Sequence, residues 1–248
     1  MRSVVTSLVG ILTLASPLRG QAGAALADSN TLRVPRWHIG VAADIGQPVG
    51  DFKQNVNNAV GLQAHVLLRL DREGLAAIRL QGGWLNYGHE SQRSCVGTTP
   101  GCRVAVNVTT TNGILSFGVG PQFSYPIGWL RTYGYGLVGV SRFATLSGLG
   151  GGILPEIVAA DENFGDTGLA WSGGVGVQLP VHKRATVDVG VAYQGHGRRD
   201  YLIEGGLTDN ADGSLAFDVK RSNADLFAIR IGVTTTFGWR RRKAHSSP

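Results

Sequence analysis

Few residues in this chain stand at spacings that could do chemistry. His89, Glu90 and Ser91 place an imidazole, a carboxylate and a hydroxyl in three consecutive positions, the residue types of a base and its nucleophile. The glycine cluster Gly148-Leu149-Gly150-Gly151-Gly152 lacks the lysine and the serine or threonine that follow a phosphate-binding loop, so it reads as surface loop. No Gly-x-Ser-x-Gly elbow occurs to present a nucleophilic serine. Asp209-Asn210-Ala211-Asp212-Gly213 lacks the ligand spacing and the terminal glutamate of a calcium loop. Its residue types are those of a turn. Asn107-Val108-Thr109 matches the glycosylation triplet, which carries little weight if the producing cell is bacterial. Cys95 and Cys102 are the two cysteines of the chain. In an oxidising compartment they can bridge, for about 2–3 kcal/mol on the chain-entropy model. A metal site would need further ligands, and neither His89 nor Glu90 is placed as one. The expectation is a disulfide, with no catalytic site, metal or cofactor.

Charge excludes another class. The net charge is +6, but six of the 23 basic residues, Arg2, Arg19, Arg240, Arg241, Arg242 and Lys243, lie near the two ends. The remaining 17 balance 17 acidic residues, so no basic groove for nucleic acid is expected. Arg2, the apolar run 4–15 and the small residues after it form the pattern of a secretory leader. Ala25-Leu26-Ala27 fits its cleavage site, making Asp28 the mature start, with cleavage after Ala22 as a second choice. The run is shorter than the ~20 residues a spanning helix needs. The organisation expected is a leader over 1–27, one domain over 28–239 and a basic tail over 240–248.

The elements that would carry any site follow a strict long–short rhythm. Alternating apolar segments at 37–45, 60–71, 76–87, 111–124, 130–143, 169–181, 185–194 and 226–239 are joined alternately by long polar stretches and tight turns. The turns fall near 72–74, 125–128 and 182–184, and the long connections at about 46–59, 88–110, 145–168 and 195–225. The sequence also holds 37 glycines and only 16% charged residues. This predicts an all-β fold, an eight-stranded antiparallel up-and-down transmembrane β-barrel with its long loops at one end.

Alternation alone does not say which face points inward; the polar set decides. Leu62, Leu68, Ile78, Val189 and Ile231 share faces with other apolar residues, whereas the opposite faces mix glycine with His65, Arg69, Asp71, Arg79, Asp188 and Arg230. Small and charged residues together can fill a narrow lumen. Unpaired charges there would be costly, so Arg69, Asp71, Arg79, Asp188 and Arg230 are expected to share a polar network. The apolar face then meets lipid, where only a closed barrel satisfies every strand. Trp37, Trp84, Tyr87, Tyr125, Trp129, Tyr133, Trp171, Tyr193, Phe237 and Trp239 sit at or near segment ends and are expected to form aromatic girdles.

Several patches resemble the small outer-membrane β-barrel family of Gram-negative bacteria, the group around the OmpA and OmpX membrane domains. They are Trp37–Val41 with Pro48–Phe52, Leu130-Arg131-Thr132-Tyr133-Gly134-Tyr135-Gly136, and Trp171-Ser172-Gly173-Gly174-Val175-Gly176-Val177. Arg230, Gly232, Phe237 and Trp239 resemble the assembly signal in the family's last strand, although Thr235 replaces a hydrophobic residue and the chain continues past Trp239. The resemblance implies an exported, non-enzymatic envelope protein of the outer membrane with its termini in the periplasm. Its partners would be outer-membrane lipid, the barrel-assembly machinery with periplasmic chaperones, and an extracellular ligand. Rival readings are a lipid A-modifying enzyme using His89 and Ser91, a narrow channel, and a soluble ligand-binding barrel.

Overall fold

The alternation becomes a sheet whose two edges meet. The computed structural model describes residues 37–95, 105–149, 161–182, 184–209 and 215–237. Its strands are β1 (Trp37–Val49), β2 (Ala59–Arg69), β3 (Ala76–Cys95), β4 (Ala105–Ile127), β5 (Leu130–Leu149), β6 (Asp161–His182), β7 (Ala185–Gly195), β8 (Arg198–Asp209), β9 (Leu215–Asn223) and β10 (Asp225–Phe237). Eight of these close an antiparallel barrel in the order β1-β10-β7-β6-β5-β4-β3-β2, while β8 and β9 pair as a separate sheet. The first and last barrel strands pair from Trp37 with Phe237 to Val49 with Asp225, which removes the open edge. The architecture is the one the resemblance implies.

Three tight turns gather at one end. Leu70 N–H donates to the Ala76 carbonyl at 2.9 Å to close β2 on β3, with Gly74 at φ 72°. Ile127 pairs with Leu130, so Gly128 and Trp129 alone form the β4–β5 turn. Gly128 has φ 58°, a conformation that a side chain disfavours.

The other end is more ordered than the polar sequence implies. Pairing of β3 with β4 continues to Cys95 opposite Ala105, and pairing of β5 with β6 to Ser147 opposite Asp161. The stretch at 195–225 holds β8 and β9, and β1 runs on to Val49 before a 3-10 turn at Phe52–Gln54. Apolar alternation fades there. The backbone ladder needs only extended residues, which β-branched runs such as Thr109-Thr110-Thr111 supply. A register shift between Asn86 and Gly88 leaves Tyr87 without a partner on β4, a bulge that reverses which residues of β3 face inward beyond it.

The wall is apolar outside and polar within. Val41, Leu62, Val138 and Ile231 are 61%, 64%, 68% and 60% exposed, while Arg79 and Arg230 are 0% and 1% exposed. Trp37, Tyr125, Trp129 and Trp171 stand outward, and Tyr193 stacks on Trp171 at 5.4 Å. Tyr87 and Tyr133, expected in the girdles, turn inward instead and are buried. Each shares the parity of the inward residues of its strand, and strand-end position misleads there. The leader 1–27, the tail 240–248, Cys102, Trp239, and the side chains of Cys95 and Phe237 lie outside the described residues.

Glycines on β6 leave the space these rings use. A Cβ on Gly174 would lie 2.7 Å from atoms of the Tyr135 ring, and one on Gly176 2.7 Å from the Val189 carbonyl and closer still to the Tyr133 hydroxyl. Gly176→Ala is expected to lower stability by about 1–3 kcal/mol, seen as a lower denaturant midpoint of the refolded barrel. Gly136→Ala, where a Cβ would meet nothing within 4 Å, should leave that midpoint in place.

Candidate functional site

The chemistry-bearing residues concentrate inside the barrel, where inward positions of all eight barrel strands meet. Tyr135 on β5 is the centre. The Arg79 guanidinium lies 4.6 Å and that of Arg230 5.3 Å from the centroid of its ring, and Arg230 Nη2 also donates to the Tyr135 hydroxyl. One aromatic ring thus serves two cations. Arg230 Nε stands 3.5 Å from Asp44 Oδ1, an ion pair between side chains 1% and 3% exposed. Gln63 Nε2 donates to the same oxygen at 3.2 Å.

Arg79 is held by neutral acceptors. Its Nε donates to Gln81 Oε1 at 2.8 Å and its Nη1 to Gln122 Oε1 at 2.9 Å. Asp188 accepts from the Tyr133 hydroxyl at 2.6 Å and from Gln178 Nε2 at 3.3 Å. Two buried arginines and two buried aspartates balance in charge. Amide and phenol groups spread the contacts so that no ion is left to face an apolar wall alone.

Of the residues expected to share a network, Arg79, Asp188 and Arg230 stand at this level. Arg69 and Asp71 do not. Asp71 lies in the β2–β3 turn, where its carboxylate accepts from Leu75 N–H at 2.8 Å and Ala76 N–H at 3.0 Å. The Ala76 N–H, and then that of Leu75, hold its carboxyl below the ordinary carboxylate range. Asp44, Gln122, Tyr133, Tyr135 and Gln178 are among the members that sequence reasoning missed. Asp44 alternates with the outward Val41, Ala43 and Ile45 and was legible on that ground.

Above the network, toward the long hairpins, the lumen ends in an aromatic plug. Phe52, carried by the first connection, meets Tyr201 of β8 edge-on at 4.9 Å, Tyr87 at 5.7 Å and Phe143 at 6.1 Å. Leu85, Ile114 and Leu226 complete the cluster. The Tyr87 hydroxyl donates to the Leu202 carbonyl at 3.2 Å, and the Tyr201 and Ser222 hydroxyls lie 2.8 Å apart. Beside the plug His196 is buried, its ring edge-on to Phe143 at 5.5 Å. Burial first, and the Arg199 charge second, lower its pKa from 6.5 to about 4.

His89 and Ser91 lie exposed on β3 beyond the bulge. The His89 ring is 3.5 Å from the Thr111 hydroxyl, and Glu90 accepts from Gly205 N–H at 2.8 Å. The His89 and Glu90 side chains are thus directed to different neighbours. Arg230, Gly232 and Phe237 of the resembled assembly signal lie in β10, opposite Asp44, Ala42 and Trp37 of β1.

No family model and no curated protein sequence matches the chain. Among solved structures it is similar to Neisserial surface protein A, with 14% identity and a TM-score of 0.44 over 81% of this chain and 97% of that one. It is also similar to Ail, the attachment invasion locus protein of Yersinia pestis, crystallised with the heparin analogue sucrose octasulfate (15% identity, TM-score 0.40, 81% and 96% covered). A third is a major outer membrane protein from Thermus thermophilus (14% identity, TM-score 0.43, 81% and 99% covered).

Asp44→Ala strands the Arg230 charge and is expected to cost about 3 kcal/mol or more. Asp44→Ala combined with Arg230→Met should recover part of that loss. Denaturant midpoints of the four members of the cycle read the coupling. For His196 the sign follows from its lowered pKa. The folded barrel keeps the ring neutral while the unfolded chain takes up a proton below pH 6.5, so stability is full above 6.5 and declines as pH falls toward 4. His196→Phe should remove that part of the acid dependence in midpoints measured between those limits.

Proposed function

We propose that the chain is a non-enzymatic outer-membrane barrel that works through its long-hairpin end, in envelope structure or in contact with an extracellular ligand. The observation that carries this reading is the inside-out wall: Leu62 and Ile231 stand 64% and 60% exposed while Arg79 and Arg230 are 0% and 1% exposed. A water-soluble carrier barrel needs the reverse, a greasy lining and a wetted exterior. A continuous apolar belt bounded by Trp37, Trp129 and Trp171 suits hydrocarbon bounded by headgroups. The leader would direct export and be cleaved from the mature chain, and insertion would use the barrel-assembly machinery and periplasmic chaperones. Outer-membrane lipid is the standing partner of the belt.

The filled interior supports a structural or adhesive role over bulk transport. The Arg79–Tyr135–Arg230 layer and the Phe52 plug occupy the lumen at two levels, as expected where eight strands leave room only for side chains. The β3–β4 and β5–β6 hairpins and the β8–β9 sheet give the same end an extended surface.

Membrane fractionation with heat-dependent gel mobility tests the reading. Recovery in the outer-membrane fraction, with a folded band that shifts on boiling, is the expected outcome; recovery in the soluble periplasm overturns it. The lipid A profile should be the same in cells carrying the wild type and His89→Ala/Ser91→Ala. Purified barrel in planar bilayers should give no porin-sized conductance.

A further inference from the structure

The tight-turn end of the lumen opens into a pocket of about 290 Å³. Among the described residues its ionisable lining consists of Arg69, Arg131 and His38, with no aspartate or glutamate. Arg131 is anchored by carbonyl groups alone, its Nη1 donating to Gly74 at 2.9 Å and its Nη2 to Glu73 at 3.5 Å. Arg69, half-buried at the end of β2, has no hydrogen bond or ion pair with any described residue. The nearby Asp71 carboxylate attracts Arg69 across space but makes its hydrogen bonds with the Leu75 and Ala76 N–H groups.

The two guanidiniums are brought together by a missing side chain. A Cβ on Gly74 would lie 2.9 Å from Arg131 Nη1 and also 2.9 Å from Arg69 Cζ. Two like charges therefore sit side by side over that glycine, a repulsion that the nearby Asp71 carboxylate offsets only in part and that a bound anion would relieve. The lining adds Thr236, a hydroxyl that can donate to an oxyanion.

We propose that this mouth is a binding site for a small oxyanion, a phosphate or a carboxylate, held between Arg69 and Arg131. Planar guanidinium forks match the paired oxygens of both groups. In the membrane orientation proposed above the pocket faces the periplasm, so the natural source is either free phosphate or a carboxylate-ended peptide. Only the compartment rests on that orientation; the pocket itself does not.

The test uses the full chain refolded in maltoside micelles, which carry no phosphate. It is titrated calorimetrically at low ionic strength with inorganic phosphate, with N-acetyl-dialanine and with the C-terminal amide of that peptide. Saturable binding of phosphate or of the free-acid peptide is expected, with the amide silent; the tighter of the two identifies the source. Arg69→Gln should weaken binding at least about tenfold, with the heat-shifted band confirming its fold. Arg69→Lys, which keeps the charge and loses the fork, should fall between the two and serves if the glutamine variant does not fold. Absence of saturable binding to the wild type, or equal binding by wild type and the Arg69 variants, overturns the proposal. Recovery of the protein from the soluble fraction would overturn the outer-membrane reading and leave this result standing.

Discussion

Every backbone N–H and C=O in the wall needs a partner, and in an apolar surrounding no water can supply one. The pairing of β1 with β10 from Trp37 to Val49 meets that demand, and most other features follow from it. A closed sheet has two faces that cannot be exchanged. With strands of period two, each position is committed to the wall's inside or outside by parity alone. Outward positions became Leu, Ile and Val; inward positions had to be either small or able to satisfy one another.

The interior solves the second demand by layering. Glycines at 174 and 176 cede volume to Tyr135 and Tyr133, and those rings in turn organise the arginines. A guanidinium over an aromatic face keeps part of the stabilisation it would find in water without a full countercharge. Asp44 and Asp188 then balance the pair of arginines while neutral amides carry the remaining contacts. The charged layer and the aromatic layer above it have different physics. The first depends on protonation and hydrogen bonding, the second on packed rings.

Much of this was legible in the sequence. Seven of the eight barrel strands keep the boundaries of their apolar segments at the tight-turn end to within a few residues, and β10 is described there only to Phe237. The face assignments of Leu62, Ile78, Arg79 and Arg230 followed from alternation together with the small and charged residues of the opposite face. What escaped was of two kinds. Asp71 has the parity of Arg69 but falls in a turn, where parity loses meaning and backbone N–H groups capture the carboxylate. The hairpin extensions and Phe52 escaped because their order comes from long-range pairing and ring contact, which leave no periodic trace in a polar segment. Tyr87 and Tyr133 looked like interfacial aromatics by position along the chain. Their inward parity was the better guide.

The Phe52 ring has a consequence for how the exposed end could be recognised. It ties the first connection to rings from β3, β5 and β8, so four separate stretches of chain share one rigid footing. A molecule landing there meets a relief already cast and need not freeze a wandering loop, a saving in ordering entropy that favours tight, shape-selective capture. The same footing limits variation. Residues near Phe52 answer to the interior as well as to whatever lies outside, so freedom to change sequence belongs to positions farther from that anchor.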